Sequence, residues 1–276
     1  MSKIALVTGS NQGLGHALVK ELCATLDSGS TIYLTARSKE RGNAAKAEIG
    51  NVAPDLRVEQ LDVTDDQSVA AIANKIKQYH GGIDIYISNA AARIYKEKTP
   101  AEQVRNFINT NNHGTYRVLK SFLPLLKDNA RVLIVASAFG SLTHLSEELH
   151  SKFDVTSNSL EEIEALMDDY VEAVEQGKAF ESGWPEWINV PSKVGQVATA
   201  KIASKMISEG RPNDGILINA VCPGLVDTEA SRPWFDDMSS AKTPDEAAVD
   251  LIWLATLPPG TTNPQGELVQ YRRVLP

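Results

Sequence analysis

The sequence predicts an α/β fold: a doubly wound, seven-stranded, mostly parallel sheet with helices on both faces. Two observations predict it. Short runs of Val, Ile and Leu alternate with longer stretches of helical period along the whole chain, and a glycine-rich turn directly follows the first run. Continuous apolar runs are typical of strands buried on both faces of a parallel sheet. No repeat or low-complexity linker divides the 276 residues, so we expect one domain, 1–276.

The predicted strands are the short apolar runs between turn residues. They cover residues 4–8, 31–35, 58–61, 83–88, 131–136, 216–221 and 268–270. The helices between them are predicted to begin near Gly15, Ser38, Asp65, Ala101, Ser192 and Pro244. At the third of these starts, Thr64 and Gln67 have the spacing of a capping box. This alternation brings the carboxyl ends of the strands to one edge of the sheet, where ligands bind in such folds.

An insertion at about 141–188 interrupts the alternation, because about fifty residues separate the fifth strand from the helix at Ser192. It contains a predicted helix of its own, which begins at the capping box of Ser159 and Glu162 and ends at Gly177. One face of this helix is apolar at three- and four-residue steps, and the other face is acidic. We expect the apolar face to pack on the domain and the acidic face to be solvated.

Composition narrows the class of function. The net charge of −8, without a basic cluster, argues against a nucleic-acid partner. No apolar run reaches the ~18–20 residues of a membrane span, and the N-terminus reads into a strand without a signal peptide. The two cysteines, Cys23 and Cys222, lie far apart, which fits a reducing cytoplasm. The five histidines do not cluster, so no metal site is predicted.

The turn after the first strand carries Gly9, Gly13 and Gly15 and opens an amphipathic helix. Glycines let the backbone turn tightly and approach a pyrophosphate, while the helix N-terminus offers free N–H groups and a positive dipole. The spacing G-x3-G-x-G differs from the commoner G-x-G-x-x-G. Its place between a first strand and a helix nevertheless predicts dinucleotide binding in a Rossmann fold.

The end of the second strand indicates which dinucleotide is bound. NAD-binding folds place an acidic residue here for the ribose 2′-hydroxyl, whereas arginines suit a 2′-phosphate. This chain has Arg37 and, one turn further on, Arg41, with no acidic residue at the strand end. NADP(H) is therefore favoured over NAD. After the third strand, Asp62 lies at the same edge and is either a cofactor contact or a helix N-cap.

Further motifs follow the later strands in order. They are Asn89-Ala90-Ala91 after the fourth strand, Thr110-Asn111 on the next helix, Ser137 at the end of the fifth strand, Lys193 after the insertion, and residues 223–228 after the sixth strand. Together with the glycine turn and Asp62-Val63, these motifs make the chain resemble the short-chain dehydrogenase/reductase family. The resemblance covers essentially its whole length. The insertion and residues 183–185 are similar to the monomeric carbonyl reductase branch of that family.

The resemblance implies an NADP(H)-dependent carbonyl reductase acting on a small molecule. It also implies a monomer, since in that branch the insertion covers the helices through which relatives tetramerise. The catalytic positions that it implies are Asn111, Ser137, Asn189 and Lys193. The cofactor contacts that it implies are Gly9, Ser10, Asn11, Gln12, Gly13, Leu14, Gly15, Arg37, Arg41, Asp62, Val63, Asn89, Ala90, Ala91, Lys193, Pro223, Gly224, Val226 and Thr228.

One position departs from the family's pattern. The family's active site ends in Tyr-x-x-x-Lys, with both side chains on one helix face, but here Asn189 stands four residues before Lys193. Pro191 is typical of a helix start, so we expect Asn189 to precede the first full turn. In the family the tyrosine protonates the developing alkoxide, and an asparagine amide is no acid near neutral pH. Losing a positioned general acid typically costs ~10²–10⁴ in rate.

Three alternatives remain open for the chemistry. The substrate can be one that needs no acid, such as an iminium ion, whose carbon is already cationic. Another group can donate the proton, and the candidates are His113, His144, Tyr170 and Lys193. Third, the nucleotide site can persist in a redox-neutral cyclase or isomerase, or in a non-catalytic binding protein. The joint presence of the other three catalytic candidates favours a reductase. A serine hydrolase is disfavoured because the chain has no G-x-S-x-G.

The substrate pocket is expected at the same edge of the sheet. We expect it to receive Ala91, Ala92, Ser137, Phe139, Trp184, Trp187 and residues 232–235. Aromatic side chains there suit a flat, largely apolar substrate. The alternative for Trp184 and Trp187 is that they pack the insertion against the domain.

Overall fold

A computed structural model of the chain describes residues 2–276 and contains eight strands and nine α-helices in that range. The strands are β1 Ile4–Val7, β2 Thr31–Ala36, β3 Asp55–Gln60, β4 Ile83–Ser88, β5 Leu126–Val135, β6 Leu217–Cys222, β7 Leu268–Gln270 and β8 Arg273–Val274. The helices are α1 Gly13–Thr25, α2 Lys39–Ile49, α3 Asp66–His80, α4 Pro100–Ile108, α5 Gly114–Phe122, α6 Glu147–His150, α7 Leu160–Glu175, α8 Asn189–Gly210 and α9 Pro244–Ala255. A π-helical turn, Asn109–His113, joins α4 to α5.

The eight strands form one sheet in the order β3-β2-β1-β4-β5-β6-β7-β8. The pairs from β1 to β7 are parallel, and β8 is antiparallel to β7. The chain moves outward from β1 to β3 and then returns to β4, on the other side of β1. In doubly wound sheets ligands bind at the carboxyl edge, where the strand order reverses. The predicted fold is confirmed, and β1 and β4 locate the expected site.

The sheet differs from the prediction in its strand count, which is eight instead of seven. β8 has only two residues, both exposed, and it follows a tight turn in which Tyr271 and Arg272 have φ values of 49° and 62°. So short an exposed strand leaves no apolar run in the sequence. β3 and β5 also begin earlier than predicted, at Asp55 and Leu126, because their first residues include polar ones.

The start of α3 differs from the predicted capping box. The N-cap is Asp65, whose carboxylate accepts a hydrogen bond from the Gln67 backbone N–H at 2.9 Å. The Thr64 hydroxyl instead donates to the carboxylate of Asp62 at 2.7 Å, and its N–H donates to the same oxygen. Asp62 therefore shapes the turn before α3 and is not its N-cap.

The start of α8 also differs from the prediction. The helix begins at Asn189, earlier than the predicted Ser192, so Asn189 lies within the first turn. Pro191 is the third helical residue, a position where the missing N–H removes no intrahelical hydrogen bond. Asn189 and Lys193 therefore lie one helical turn apart on α8.

Helices cover both faces of the sheet. α1, α2 and α9 contribute to the apolar core on one face, and α3, α4, α5 and α8 to the core on the other. The insertion helix α7 packs across α4 and α8, and its apolar face is buried as predicted. Its capping box of Ser159 and Glu162 is confirmed. No helix of the described chain combines the length and the apolarity needed to cross a membrane.

The acidic face of α7 is only partly solvated, which corrects the prediction. Glu164 is 14% exposed and lies 2.5 Å from Nδ1 of His113, while Asp168 lies 3.0 Å from Nε2 of the same ring. Burial alone would lower the pKa of His113, but the hydrogen bond and charge of Glu164, with the charge of Asp168, raise it above its usual value. His113 therefore ties the insertion to the π-helical turn.

Candidate active site

A cavity of about 420 Å³ opens at the carboxyl edge of the sheet, beside the turn that begins α1. Segments that follow β4, β5 and β6 line it, together with the start of α8. The four catalytic candidates, Asn111, Ser137, Asn189 and Lys193, all line this cavity. The structure thus brings together residues that are up to 82 positions apart in the sequence, counted from 111 to 193.

The glycine turn has the shape that a pyrophosphate requires. Gly9 and Gly13 have positive φ values of 60° and 56°, and a Cβ atom on Gly9 would lie 2.8 Å from the Cα of Ala90. A Cβ on Gly15 would lie 2.5 Å from the Gly9 carbonyl oxygen. The N-cap of α1, Gln12, makes no side-chain capping bond, and the first turn of α1 has no acidic residue. The free N–H groups and helix dipole therefore fit an anionic phosphate group.

Thr8 holds this turn against the end of β4, a role that the sequence analysis missed. Its hydroxyl accepts hydrogen bonds from the backbone N–H groups of Asn89 at 2.9 Å and Ala90 at 3.0 Å. The Asn89 amide in turn donates to the carbonyl oxygens of Thr8 and Gly9. The hydroxyl of Ser10 is buried and bonds the backbone of Val7 and Thr35, so it serves the turn itself. The available sequence signal is a threonine immediately before the first glycine.

The two predicted phosphate-binding arginines lie beyond β2 with exposed side chains. Neither Arg37 nor Arg41 forms an ion pair with any described carboxylate. Ser38 caps α2 by accepting from the Arg41 backbone N–H. On the next strand end, Val63 is buried, and a Cβ on Gly114 would lie 2.7 Å from its Cγ2 atom. The two guanidinium groups are therefore available to an anion at this edge.

Asn111 lies in the π-helical turn and organises the backbone beside the cavity. Its side-chain oxygen accepts a hydrogen bond from the Ala92 N–H at 2.8 Å. Its backbone carbonyl accepts from Thr115 Oγ1 at 2.6 Å and from Gln196 Nε2 at 2.9 Å. Ser137 lies two residues after β5, and its hydroxyl accepts a hydrogen bond from the Phe139 N–H at 3.3 Å. Its O–H hydrogen is therefore free to donate into the cavity.

Lys193 is the residue of the site whose pKa is shifted most clearly by its surroundings. Its ammonium donates to the Val135 carbonyl at 3.1 Å and to the Gln196 side-chain oxygen at 2.8 Å. Burial lowers the pKa of Lys193 to about 8, which the nearby Cys222 opposes slightly. Strongly shifted groups in a cleft are typical of functional sites. Gln196 was not singled out in the sequence analysis, because a glutamine within a helix carries no distinctive signal.

Three of the four alternative proton donors lie outside the cavity. His113 is held by Glu164 and Asp168, and His144 packs against Phe139 with ring centroids 5.3 Å apart. Tyr170 is fully buried, and its ring centroid lies 4.7 Å from that of Trp184. Burial raises the pKa of Tyr170 well above its usual value. Of the four, Lys193 is the donor that lines the cavity.

The apolar wall of the cavity is aromatic, as predicted, but the aromatic residues that form it are not all the predicted ones. Phe139, Trp187, Trp234 and Phe235 line it, with the Trp187 centroid 5.1 Å from Phe139 and 5.8 Å from Trp234. Trp184 is instead buried within the insertion, against Phe153 and against Tyr170 of α7, so its expected place in the pocket is wrong.

Arg232 and Pro233 also lie outside the cavity, contrary to the prediction for residues 232–235. Arg232 is directed to the surface and donates to the carboxylate of Asp227 at 2.7 Å. The part of the cavity wall that this segment contributes is formed by Trp234 and Phe235.

The chain is similar to known proteins over nearly its whole length. The profile of the short chain dehydrogenase family matches residues 3–174. Carbonyl reductase [NADPH] 1 of Homo sapiens is 36% identical over 275 residues, which cover 98% of this chain and 97% of that protein. The Rattus norvegicus protein of the same name is 34% identical over 277 residues, 99% of this chain and 98% of its own.

Solved structures share the fold. Salutaridine reductase from Papaver somniferum superposes with a TM-score of 0.83 at 24% identity, covering 96% of this chain and 99% of its own. Menthone neomenthol reductase from Mentha piperita gives a TM-score of 0.76 at 26% identity, covering 98% and 99%.

The first test concerns Thr8. Replacing Thr8 with Val leaves the N–H groups of Asn89 and Ala90 without their acceptor, and we expect a loss of about 2 kcal/mol or more in the free energy of unfolding. Thr8→Ser keeps the hydroxyl and should lose less than half as much. Urea unfolding of both variants measures the difference. Equal losses in the two variants would show that the hydroxyl does not hold the turn.

Proposed function

The chain belongs to the short-chain dehydrogenase/reductase family, and from that premise we propose that it is an NADPH-dependent oxidoreductase of the carbonyl reductase type. It transfers hydride to a C=O or C=N carbon of a small, aromatic or polycyclic substrate. The observation that carries the proposal is the convergence of Asn111, Ser137, Asn189 and Lys193 on one cavity beside the N-terminus of α1.

The residues present fit the cofactor. The backbone of residues 9–15 and the first turn of α1 would hold the pyrophosphate, and Arg37 with Arg41 would hold the 2′-phosphate. Asp62-Val63 and Asn89-Ala90-Ala91 follow β3 and β4 at the carboxyl edge of the sheet and would contact the adenosine and ribose groups. When bound, NADPH supplies a hydride.

The charges around the cavity favour a neutral C=O group over a cationic C=N group. No aspartate or glutamate is among the described residues that line it, and its cations are Lys193 and Arg93. Arg93 is paired with Glu229, so Lys193 is the unpaired charge. An iminium ion would be repelled by this ammonium, although aromatic faces can hold cations. The Ser137 hydroxyl can donate to a carbonyl oxygen and polarise it.

We infer that Asn189 occupies the position of the family's tyrosine acid. Asn189 begins α8, stands one turn before Lys193, and shares the cavity with it. Its amide can orient a substrate oxygen by hydrogen bonding but cannot protonate it. The site therefore differs from the family's pattern at the proton-donating position, and the alternative is a redox-neutral or non-catalytic role.

We also propose that the whole chain acts as one domain and as a cytoplasmic monomer. The support is the packing of the insertion helix α7 across α4, reinforced by the His113 contacts and by the bidentate pairing of Arg105 with Glu175. By resemblance to the monomeric branch, the insertion would cover the helices through which relatives tetramerise.

The phosphate-binding role of the arginines predicts a selective loss of affinity. In the double variant Arg37→Ala/Arg41→Ala, we expect NADPH binding to weaken by roughly 10²-fold, because charge-assisted hydrogen bonds to the 2′-phosphate are lost, and NADH binding to change little. Fluorescence titration with both nucleotides measures this. Arg273→Ala, an exposed cation at the far edge of the sheet, is the matched control. Equal weakening for NADPH and NADH would contradict the assignment.

The activity is tested by NADPH absorbance loss with aromatic ketones, quinones, α-dicarbonyls and a preformed cyclic iminium. We expect turnover of a carbonyl substrate. Asn189→Tyr should raise ketone reduction by roughly tenfold or more, since it supplies a positioned phenol, whereas Asn189→Phe should not. Silence across the panel while NADPH still binds would replace the reductase with the redox-neutral or non-catalytic role.

A further inference from the structure

Gln196 is a buried amide on α8, one turn after Lys193. Its side-chain oxygen accepts a hydrogen bond from Lys193 Nζ at 2.8 Å. Its nitrogen donates to the Asn111 carbonyl at 2.9 Å and to Thr115 Oγ1 at 3.3 Å. Gln196 is only 2% exposed, so both ends of the amide depend on these partners in place of water. The amide thus links the lysine to the π-helical turn.

The Lys193 ammonium has three N–H groups. One donates to Gln196 and one to the Val135 carbonyl, which leaves the third for a group in the cavity that Lys193 lines. No carboxylate within residues 2–276 pairs with Lys193. The lysine is therefore fixed in place by neutral acceptors, with one N–H directed away from both of them.

Two further titratable groups lie near Lys193. Cys222 follows on β6, and burial raises the pKa of its thiol, while the N–H groups of Gly224 and Ala138 and the charge of Lys193 partly oppose this. Arg93 lines the same cavity, paired with Glu229. Arginine holds its protons throughout the accessible pH range. Lys193 is thus the group of this cavity that can give up a proton near neutral pH.

We propose that Lys193 donates the proton to the substrate oxygen, in place of a phenol, and that Gln196 is the positioning residue that holds the Lys193 ammonium for this transfer. The proposal rests on the reductase function proposed above. The hydride would come from NADPH, which would be oxidised to NADP⁺. As it adds to the carbonyl carbon, the C=O π bond breaks and a C–H bond forms. The oxygen takes a proton from Nζ, forming an O–H bond. Lys193 is left as a neutral amine and regains its proton from water after the product leaves.

The acidity of Lys193 suits this role. Its pKa of about 8 makes it a stronger acid than an unperturbed tyrosine, while it stays mostly protonated at pH 7. Donors matched to the operating pH are the effective ones in general acid catalysis. Hydrogen bonds from the ammonium to Gln196 and Val135 favour the charged form and so limit the lowering of the pKa that burial causes.

The first arm of the test is an NMR titration of Lys193 in cofactor-free protein labelled with ¹³C-lysine. The resonance is identified by its absence in Lys193→Met. Gln196→Met removes the acceptor with little change in volume, and we expect the midpoint of Lys193 to fall by about one pH unit. Gln196→Glu supplies a carboxylate and should move the midpoint upward, so the two variants shift in opposite directions.

The matched control is Ser192→Ala. Ser192 lies on the same face of α8 as Gln196, one turn earlier. The variant removes the buried hydrogen bond of 2.7 Å that the Ser192 hydroxyl donates to Asn112 of the π-helical turn, without touching Lys193. We expect a similar loss of stability and an unchanged Lys193 midpoint. A midpoint that moves equally in this variant would overturn the specific role of Gln196, as would an unchanged midpoint in both Gln196 variants.

The second arm is the pH dependence of kcat/KM for ketone reduction. Activity should fall as pH rises through the Lys193 midpoint, because the donor must be protonated, and this alkaline limb should follow the midpoint in the Gln196 variants. A midpoint that shifts while the limb stays fixed would overturn the donor role. If the wild type reduces no carbonyl, the proposed function and the donor role fail together, and the NMR titration still decides the role of Gln196.

Discussion

The desolvated charge of Lys193 is the constraint on which the rest of the site depends. A buried ammonium is stable only where fixed acceptors replace water, and here both acceptors are neutral: the Val135 carbonyl and the Gln196 amide. A carboxylate at either place would hold the proton in a permanent ion pair and raise the pKa. Neutral acceptors hold the position of the lysine while leaving its proton transferable.

One irregular segment of the fold holds the Gln196 acceptor in place. The π-helical turn Asn109–His113 lies between α4 and α5, and π turns often occur at functional sites. Here the backbone carbonyl of Asn111 accepts a hydrogen bond from the Gln196 side chain, and the side-chain oxygen of Asn111 accepts one from the Ala92 N–H. On its outer side, His113 binds the insertion helix α7. One turn thus couples the cavity to the insertion that packs over it.

The nucleotide side of the site depends on a separate constraint, the close approach of β1 and β4. Thr8 and Asn89 exchange hydrogen bonds across this gap, and the backbone of Ala90 leaves no room for a side chain at Gly9. The glycine turn is therefore held in one conformation before any ligand binds. Such preorganisation lowers the entropic cost of binding a dinucleotide.

The fold and the strand-end motifs are predictable from the sequence because both follow from local patterns. Apolar runs and the glycine turn predict β1 and α1, and Ser137 and Lys193 belong to motifs with fixed places. Gln196 and Thr8 were missed because their importance comes from partners 85 and 81 positions away.

Two predictions about the insertion were wrong because tertiary contacts decide where these side chains lie. Trp184 was placed in the cavity although it packs under α7, and Glu164 was assigned to a solvated face although it meets His113. The π-helical turn between α4 and α5 has no signal in the hydrophobic pattern of the sequence. A single sequence does not reveal the role of a residue whose partners lie far away along the chain.

The most direct measurement is a single-turnover transfer of deuterium from [4-²H]NADPH to an aromatic ketone, comparing the wild type with Lys193→Met at saturating NADPH. Nucleotide binding is checked in both by fluorescence. The account predicts deuterium at the carbinol carbon for the wild type, and a rate lower by roughly 10² or more in the variant with NADPH still bound. Labelled product formed equally fast by Lys193→Met would contradict it.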